Sequence, residues 1–180
     1  MNISKVADII HKIAEGFEEN GMKCLSDQSA IVVRAIREQL MSGQDGDGTS
    51  LEPTYLNDEY FLKHKWHHKD ENTGKEYFGA QGYVDWKHDI TSPSNGELLG
   101  LPPRAEDVPN LFIDGTFHRE ISAVLVDDTL QVSPGHNKGP DIVKKYGDRI
   151  LNMGSSAVEY FNAEYLLPSI GRFFKDCGYQ

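Results

Sequence analysis

The sequence contains little cysteine, no long apolar run and fewer basic than acidic side chains. Its 180 residues include only two cysteines, Cys24 and Cys177, which excludes a disulfide framework and predicts two isolated thiols. No stretch of about 18 apolar residues occurs, and the start of the chain lacks a basic region followed by an apolar block. We therefore expect a chain made in a reducing cytoplasm, with no signal peptide and no membrane span.

The balance of acidic and basic side chains argues against one class of function, nucleic-acid binding. The chain has 28 acidic and 18 basic side chains, for a formal net charge of -10. A protein that grips nucleic acid needs a concentrated basic face that releases counterions from phosphates, so this charge argues against such a function. Solubility is the simplest explanation of the acidity.

Apolar residues at helical spacing predict two amphipathic helices at the N-terminus. The first is expected over residues 3–19, because Asn20 and Gly21 can end it in a left-handed turn. The second is expected over residues 27–41. The candidate N-caps are Asn2 or Ser4 for the first helix and Ser26 or Asp27 for the second.

A glycine-rich turn at residues 43–48 leads into an extended segment. Leu51, Pro53 and Tyr55 fall on alternate positions there, which is typical of an edge strand or a tether. Two aspartates in the turn suggest a calcium loop, but Leu56 stands where a bidentate glutamate should close the site. We predict a plain turn.

Residues 57–107 are rich in His, Lys, Asp, Asn, Gly and Pro. A short helix is expected within residues 55–66 and another around Tyr83 and Trp86, before breakers at residues 92–96 and 102–103. Because so long a structureless stretch is uncommon in a compact domain, we interpret it as an irregular arm within a single domain of residues 1–180. We expect the arm to become ordered mainly beside neighbouring subunits.

Four residues of this segment are candidates for a metal site or a general base: His64, His67, His68 and Asp70. His64 and His68 have the i, i+4 spacing that zinc sites use, but no cysteine is near and three lysines oppose a cation. No third group is present to orient a catalytic pair. We predict a solvated polar patch, with no catalytic residue, cofactor or metal.

The second half of the chain predicts a β-hairpin and C-terminal helices. Residues 117–126 alternate as a strand, Asp127 and Asp128 form a two-residue turn, and residues 129–133 return. A short helix follows Pro140, and a longer aromatic helix begins near Ser155 and must kink or split at Pro168. The prediction is an α+β fold, in which the N-terminal helix pair and the C-terminal helices pack on a small antiparallel sheet with a long central arm.

Three segments of the chain occur in an order that a known family shares. They are the turn with Leu51, Pro53 and Tyr55, then residues 83–87, then residues 111–117 with Ile121. In this order they resemble the tail-completion and virion-morphogenesis proteins of tailed bacteriophages. The chain departs from that pattern where Asp114 precedes Gly115 in place of threonine, and where residues 57–107 exceed the length of a minimal member.

The resemblance implies a structural virion protein, made in the host cytoplasm, and no enzyme. It would form a homo-oligomeric ring at the head–tail connector or tail end, contacting portal, connector or tail proteins and letting DNA pass, with no cofactor and no membrane. Heterologous ring contacts place loops on the next subunit. We hypothesise that acidic residues line the DNA passage. The expected subunit-interface residues are Leu51, Pro53, Tyr55, Trp66, Tyr83, Trp86, Phe117 and Ile121.

Two other classes of function remain open from the sequence. One is a transient assembly chaperone or soluble binding module, which would be absent from finished particles. The other is a small metal-dependent hydrolase built around the histidines and Asp70.

Overall fold

The computed structural model describes residues 3–91 and 97–179. The predicted cap at Asn2 and the predicted break at residues 92–96 lie outside the described residues. The α+β prediction is confirmed, since the chain is 55% helical with two small antiparallel sheets. The helices are α1 (Ile3–Asp27), α2 (Ser29–Met41), α3 (Glu59–Lys63), α4 (Gly79–Ile90), α5 (Thr116–Glu120), α6 (Gly139–Tyr146), α7 (Ser155–Phe161) and α8 (Leu167–Asp176). The strands are β1 (His67–Lys69), β2 (Glu76–Phe78), β3 (Ile121–Val126) and β4 (Thr129–Pro134).

The first helix is longer than predicted. It runs through Gly21 to Asp27, so the expected end at Asn20 was wrong. Helix α8 packs along α1, with the Phe17 and Phe174 ring centres 6.2 Å apart. This packing outweighs the roughly 1 kcal/mol that glycine costs inside a helix. Helix α2 therefore starts at Ser29, and the two predicted caps lie inside α1 instead.

Helix α2 supplies the centre of the hydrophobic core. Val32, Ile36 and Leu40 recur at helical spacing and are almost fully buried. They belong to one cluster with residues of α5, β3, α7 and a 3-10 turn at Asp148–Leu151. The core therefore joins the N-terminal helices to the C-terminal half of the chain.

The hairpin of β3 and β4 begins later than predicted. Residues 116–120 form the helix α5, because Gly115 adopts a left-handed φ of 77° and the Asp114 carboxylate accepts a hydrogen bond from the Thr116 N–H at 2.8 Å. The predicted turn is confirmed: Val126 pairs with Thr129, and Asp127 has a φ of 53°. The expected single sheet is replaced by two separate two-stranded sheets, β1–β2 and β3–β4.

The segment of residues 57–107 has more regular structure than the predicted arm. It contains α3, the β1–β2 hairpin and α4, which confirms the helix expected around Tyr83 and Trp86. An aromatic cluster holds these elements together: the Tyr83 ring lies 4.2 Å from Phe61 and 4.9 Å from Trp66, measured between ring centres. Such offset and edge-to-face pairs add stability beyond the area that they bury.

The C-terminal helix changes its winding just before Pro168, where a kink or split was predicted, but its backbone stays helical throughout. Helix α7 ends at Phe161, a π-helical turn spans Asn162–Leu166, and α8 begins at Leu167. Proline has no N–H to donate to the preceding turn, which is consistent with a π-helical turn just before it. Helix α8 then packs along α1, whereas α7 packs against α2.

Candidate functional site

Four of the eight expected interface residues are core residues of this chain. Leu51, Tyr55, Phe117 and Ile121 are between 2% and 5% exposed. Their side chains pack within the chain and offer a neighbour almost no surface. The Leu51 N–H also donates to the Gly43 carbonyl at 2.8 Å, so the loop folds back on its own chain and is not an extended tether.

The other four expected residues are partly accessible. Pro53, Trp66, Tyr83 and Trp86 are half-buried, and the three aromatic residues belong to the cluster between α3, β1 and α4. Trp66 and Trp86 lie 5.7 Å apart between ring centres. The structure thus brings these three residues together, although they were predicted separately along the chain.

A buried polar cluster lies beside the aromatic residues. The Lys87 side chain on α4 is fully buried, and within the described residues its Nζ has no hydrogen-bond partner. The Nζ lies 5.9 Å from the centre of the Tyr55 ring. Burial, with a smaller contribution from the positive charge of Arg104, lowers the pKa of Lys87 to about 7.

His118 is the second buried titratable group of this cluster. Its Nε2–H donates to the Asn110 carbonyl at 2.8 Å. Burial, opposed by that hydrogen bond and helped by the positive charges of Arg37 and Lys87, lowers the pKa of His118 to about 4. At neutral pH the imidazole is therefore uncharged.

The Tyr55 hydroxyl accepts a hydrogen bond from the Asn110 N–H at 3.4 Å, and burial raises the pKa of Tyr55 to about 12. Tyr55, Lys87 and His118 resemble an acid–base set, but neither of the two cavities described below is lined by any of them. Tyr55 and His118 are buried and are both hydrogen-bonded to the backbone of Asn110. Sequence reasoning missed Lys87, although its position four residues after Tyr83 places it on the same face of α4.

The candidate metal or base residues are engaged in local contacts. The His64 ring stacks on Tyr60 at 4.8 Å and His67 stacks on Phe78 at 4.6 Å, while His68 lies 5.0 Å from Trp86. The Asp70 carboxylate accepts from two backbone N–H groups of the hairpin turn, and these bonds lower its pKa. Across the described residues, no group of three or more His, Cys, Asp or Glu is placed to hold a metal ion.

The glycine-rich loop uses its aspartates to shape the turn. The Asp45 carboxylate accepts from the N–H groups of Asp47 and Thr49 at 2.9 and 3.0 Å. Asp47 in turn forms an ion pair with Arg149, in which Asp47 Oδ2 lies 2.5 Å from Arg149 Nη1. These contacts fit the plain turn that the sequence predicts.

Apolar side chains form an exposed stripe on α1. Ile3, Val6, Ile10 and Phe17 are 86%, 37%, 61% and 46% exposed. Their spacing of three, four and seven residues places them on one face of the helix. We call Ile3, Val6 and Ile10 the N-terminal stripe.

An apolar groove of about 420 Å³ lies between the C-terminal half of α1 and the α7–α8 region. The α1 side is formed by Phe17, Met22 and Leu25, and the opposite side by Val158, Leu166 and Ile170. Glu18 and Asn162 are the polar residues of its lining. We call this feature the apolar groove.

A second cavity of about 340 Å³ has a mixed lining. Leu111, Phe117 and Ile142 supply apolar surface, and Asp114 and Lys138 supply opposite charges. Its position joins the turn before α5 to the loop before α6. A pocket of this composition suits a polar segment better than an apolar one.

None of the helices in the described parts of the chain combines the length and apolar character that crossing a membrane requires. Compared with known protein families, curated proteins and solved structures, the chain shows no significant match.

Proposed function

We propose that this chain is a structural virion protein of a tailed bacteriophage, which forms a ring at the head–tail connector or tail end. The ring would join head to tail and let DNA pass. The observation that carries the proposal is the pair of exposed apolar surfaces, the N-terminal stripe and the apolar groove. Contiguous exposed apolar surface marks a site of protein contact.

The N-terminal stripe supports a role in assembly because an isolated apolar helix face gains stability only when it is covered. Each apolar side chain that leaves water contributes about 1.5–3 kcal/mol when fully buried. Ile3 and Ile10 are more than half exposed within one chain. A neighbouring protein would cover them.

The motif order and the charge support the phage assignment. The segments around Tyr55, Trp86 and Phe117 occur in the order of the tail-completion family that the sequence resembles. A net charge of -10 suits a ring whose inner wall repels DNA, so that the DNA slides without adhering. Because the 43–55 loop packs on its own chain, the helices would supply the subunit contacts.

A transient assembly chaperone is the second candidate. The apolar groove favours it as well, since an amphipathic helix of a client protein could occupy the same surface. The two functions differ in whether the chain remains in finished particles.

Deleting the gene in the phage that encodes the chain tests the proposed function. We expect electron microscopy to show DNA-filled heads without tails, or heads that have lost their DNA, because the junction would be incomplete. Supplying the wild-type chain in trans should restore whole particles. Complete and infectious particles made without the chain would contradict the proposal.

A further inference from the structure

We infer that Lys87 is a pH-dependent switch, which holds residues 57–91 against the rest of the chain when its amine is neutral and releases them when the amine is charged. This regulation does not depend on the virion role, because it concerns the separation of two parts of one chain. The change that drives it is the gain or loss of one proton on the Lys87 Nζ.

Residues 57–91 fold as a unit that is set apart from the main hydrophobic core. Helix α4 packs mainly on α3, β1 and β2, which all belong to this segment. The main core cluster includes residues of α2, β3 and α7, and among the described residues none of its members comes from residues 57–91. Local opening of the segment would therefore leave the main core intact.

The segment is joined to the rest of the chain around Tyr55. The Tyr83 ring lies 4.8 Å from the Tyr55 ring, between ring centres, and the Lys87 Nζ lies 5.9 Å from the centre of the same ring. Tyr55 is in turn fixed to a later part of the chain, because its N–H donates to the Asp107 carbonyl at 2.8 Å. Lys87 therefore lies at the junction between the segment and the rest of the fold.

The Lys87 amine is buried in this junction without a partner. Its side chain is fully buried, and no atom of the described residues forms a hydrogen bond with its Nζ. The charge that acts on it is the positive charge of Arg104, which opposes a second cation nearby. Because removing an unpaired charge from water is unfavourable, the amine fits the closed junction best without its proton.

The titratable groups beside Lys87 keep one charge state between pH 6 and pH 8.5. Burial raises the pKa of Tyr55 to about 12 and also raises the pKa of Tyr83, so both hydroxyls stay neutral. Burial lowers the pKa of His118 to about 4, so its imidazole stays uncharged. Arg104 keeps its guanidinium charge, as arginine does in proteins. Lys87 is thus the group of this set whose charge changes.

Charged groups also face the junction from the elements that surround it. Asp58, at the start of α3, forms an ion pair with Lys145 on α6 and acts on the two buried hydroxyls of Tyr83 and Tyr146. Farther out, Asp107 acts on Arg104, and Arg37 acts on His118. Within the described parts of the chain, none of these carboxylates offsets the charge of the Lys87 amine.

Proton binding by Lys87 is therefore coupled to the opening of the segment. The pKa of Lys87 is about 7 when buried and 10.5 when exposed to water. Between these two values the opened form binds a proton that the closed form does not, so lowering the pH favours opening by about tenfold per pH unit. Below about pH 7 both forms carry the proton, and the effect levels off.

Native-state hydrogen exchange of the full chain at pH 8.5, pH 7 and pH 6 tests the switch. Dividing each rate by the intrinsic exchange rate at that pH gives opening constants for the amides of α4 and of α2. A series of low denaturant concentrations separates local opening from global unfolding, because the sensitivity to denaturant grows with the surface that opening exposes.

Two variants identify the titrating group. Lys87→Met removes the buried amine and fills the same space, whereas Lys65→Met removes an exposed lysine of the same segment and is the matched control. The four histidines of the segment are present in both variants and in the wild type, so their titration is common to all three proteins.

We expect the opening constant of the α4 amides to rise about fifteenfold from pH 8.5 to pH 7 in the wild type and in Lys65→Met, and by less than about twofold from pH 7 to pH 6. In Lys87→Met it should change by less than about threefold over the whole range. In every protein the α4 amides should open more readily than the α2 amides and respond less to denaturant.

Three results would overturn the switch. The first is a wild-type opening constant of α4 that does not depend on pH, which can be judged without any variant. The second is an equal opening constant and an equal denaturant response for α4 and α2, since the segment would then open only by global unfolding. The third is a pH dependence that Lys87→Met retains in full. The virion role is tested by gene deletion and stands or fails separately.

Discussion

Lys87 places an amine inside the core, with its Nζ over the Tyr55 ring. Burial lowers its pKa to about 7, against 10.5 for a lysine in water, so the amine readily loses its charge near neutral pH. Burying a charge without a partner is costly, and lysines are almost never fully buried. Single residues such as this one decide how the stability depends on pH.

Replacing Lys87 with methionine is expected to raise the free energy of unfolding at pH 7 by about 1–4 kcal/mol, because methionine fills the space without a charge. Chemical denaturation of the two proteins measures the difference. Lys65→Met, at an exposed position, should change it by less than about 0.5 kcal/mol. A less stable Lys87→Met protein would show that the amine makes a contact that the core needs.

His118 should make the fold sensitive to acid. Its pKa is about 4 when folded and 6.5 when exposed, so unfolded chains bind the proton first as the pH falls. The stability is therefore fully present above about pH 6.5 and is lost towards pH 4, by roughly 3 kcal/mol from this residue. The lowered pKa of Lys87 likewise makes the fold more stable as the pH rises, over a range from about pH 7 to pH 10.

Comparing wild type with His118→Gln by urea denaturation at pH 4 and pH 7 isolates this contribution. Glutamine keeps a donor for the Asn110 carbonyl but does not titrate. The loss of stability between the two pH values should be smaller in the variant. Equal losses would mean that His118 keeps an ordinary pKa.

Neither buried group was predictable from its surroundings in the sequence. Lys87 stands between Trp86 and His88 in a polar stretch, which is typical of a solvated helix. Its burial depends on the packing of residues 104–118, which lie far away along the chain. Local patterns contain no information about such long-range contacts.

At the scale of elements, the aromatic cluster joins the 43–55 loop to the helices of residues 57–91. Tyr55 lies 4.8 Å from Tyr83 between ring centres and is 5% exposed. Tyr60, on α3, is 54% exposed although it also contacts Phe61. Replacing each tyrosine in turn therefore compares the effect of losing a buried ring with the effect of losing an exposed ring at nearby positions in the chain.

Tyr55→Ala should lower the free energy of unfolding by about 3–5 kcal/mol, as for other large core aromatic residues. Tyr60→Ala should lower it by less than about 1 kcal/mol. Denaturant titrations of both variants measure the two values. Similar losses would contradict the assignment of Tyr55 to the core.

The elements were predictable where local chemistry decides them. Asp127 and Asp128 predicted the hairpin turn, and Pro168 predicted an irregularity that takes the form of a π-helical turn between α7 and α8. Helix α5 was missed because Phe117 and Ile121 fit a strand as well as a helix over so few residues. The expected end of α1 at Gly21 failed because packing against α8 outweighs a local helix breaker.

For the whole molecule, the sequence predicted the apolar face of α1 but not its exposure. Ile3, Val6 and Ile10 follow the helical period, which also describes a buried face. The side of α1 that α8 covers depends on the tertiary packing. The groove, too, forms only when residues from both ends of the chain meet.

Quantitative mass spectrometry of purified virus particles, scaled to the portal protein, tests the central claim most directly. A structural ring has closed symmetry, so we expect this chain at a small integer ratio to the portal. A chain that is made during infection but missing from the particles would contradict the ring and favour the transient chaperone.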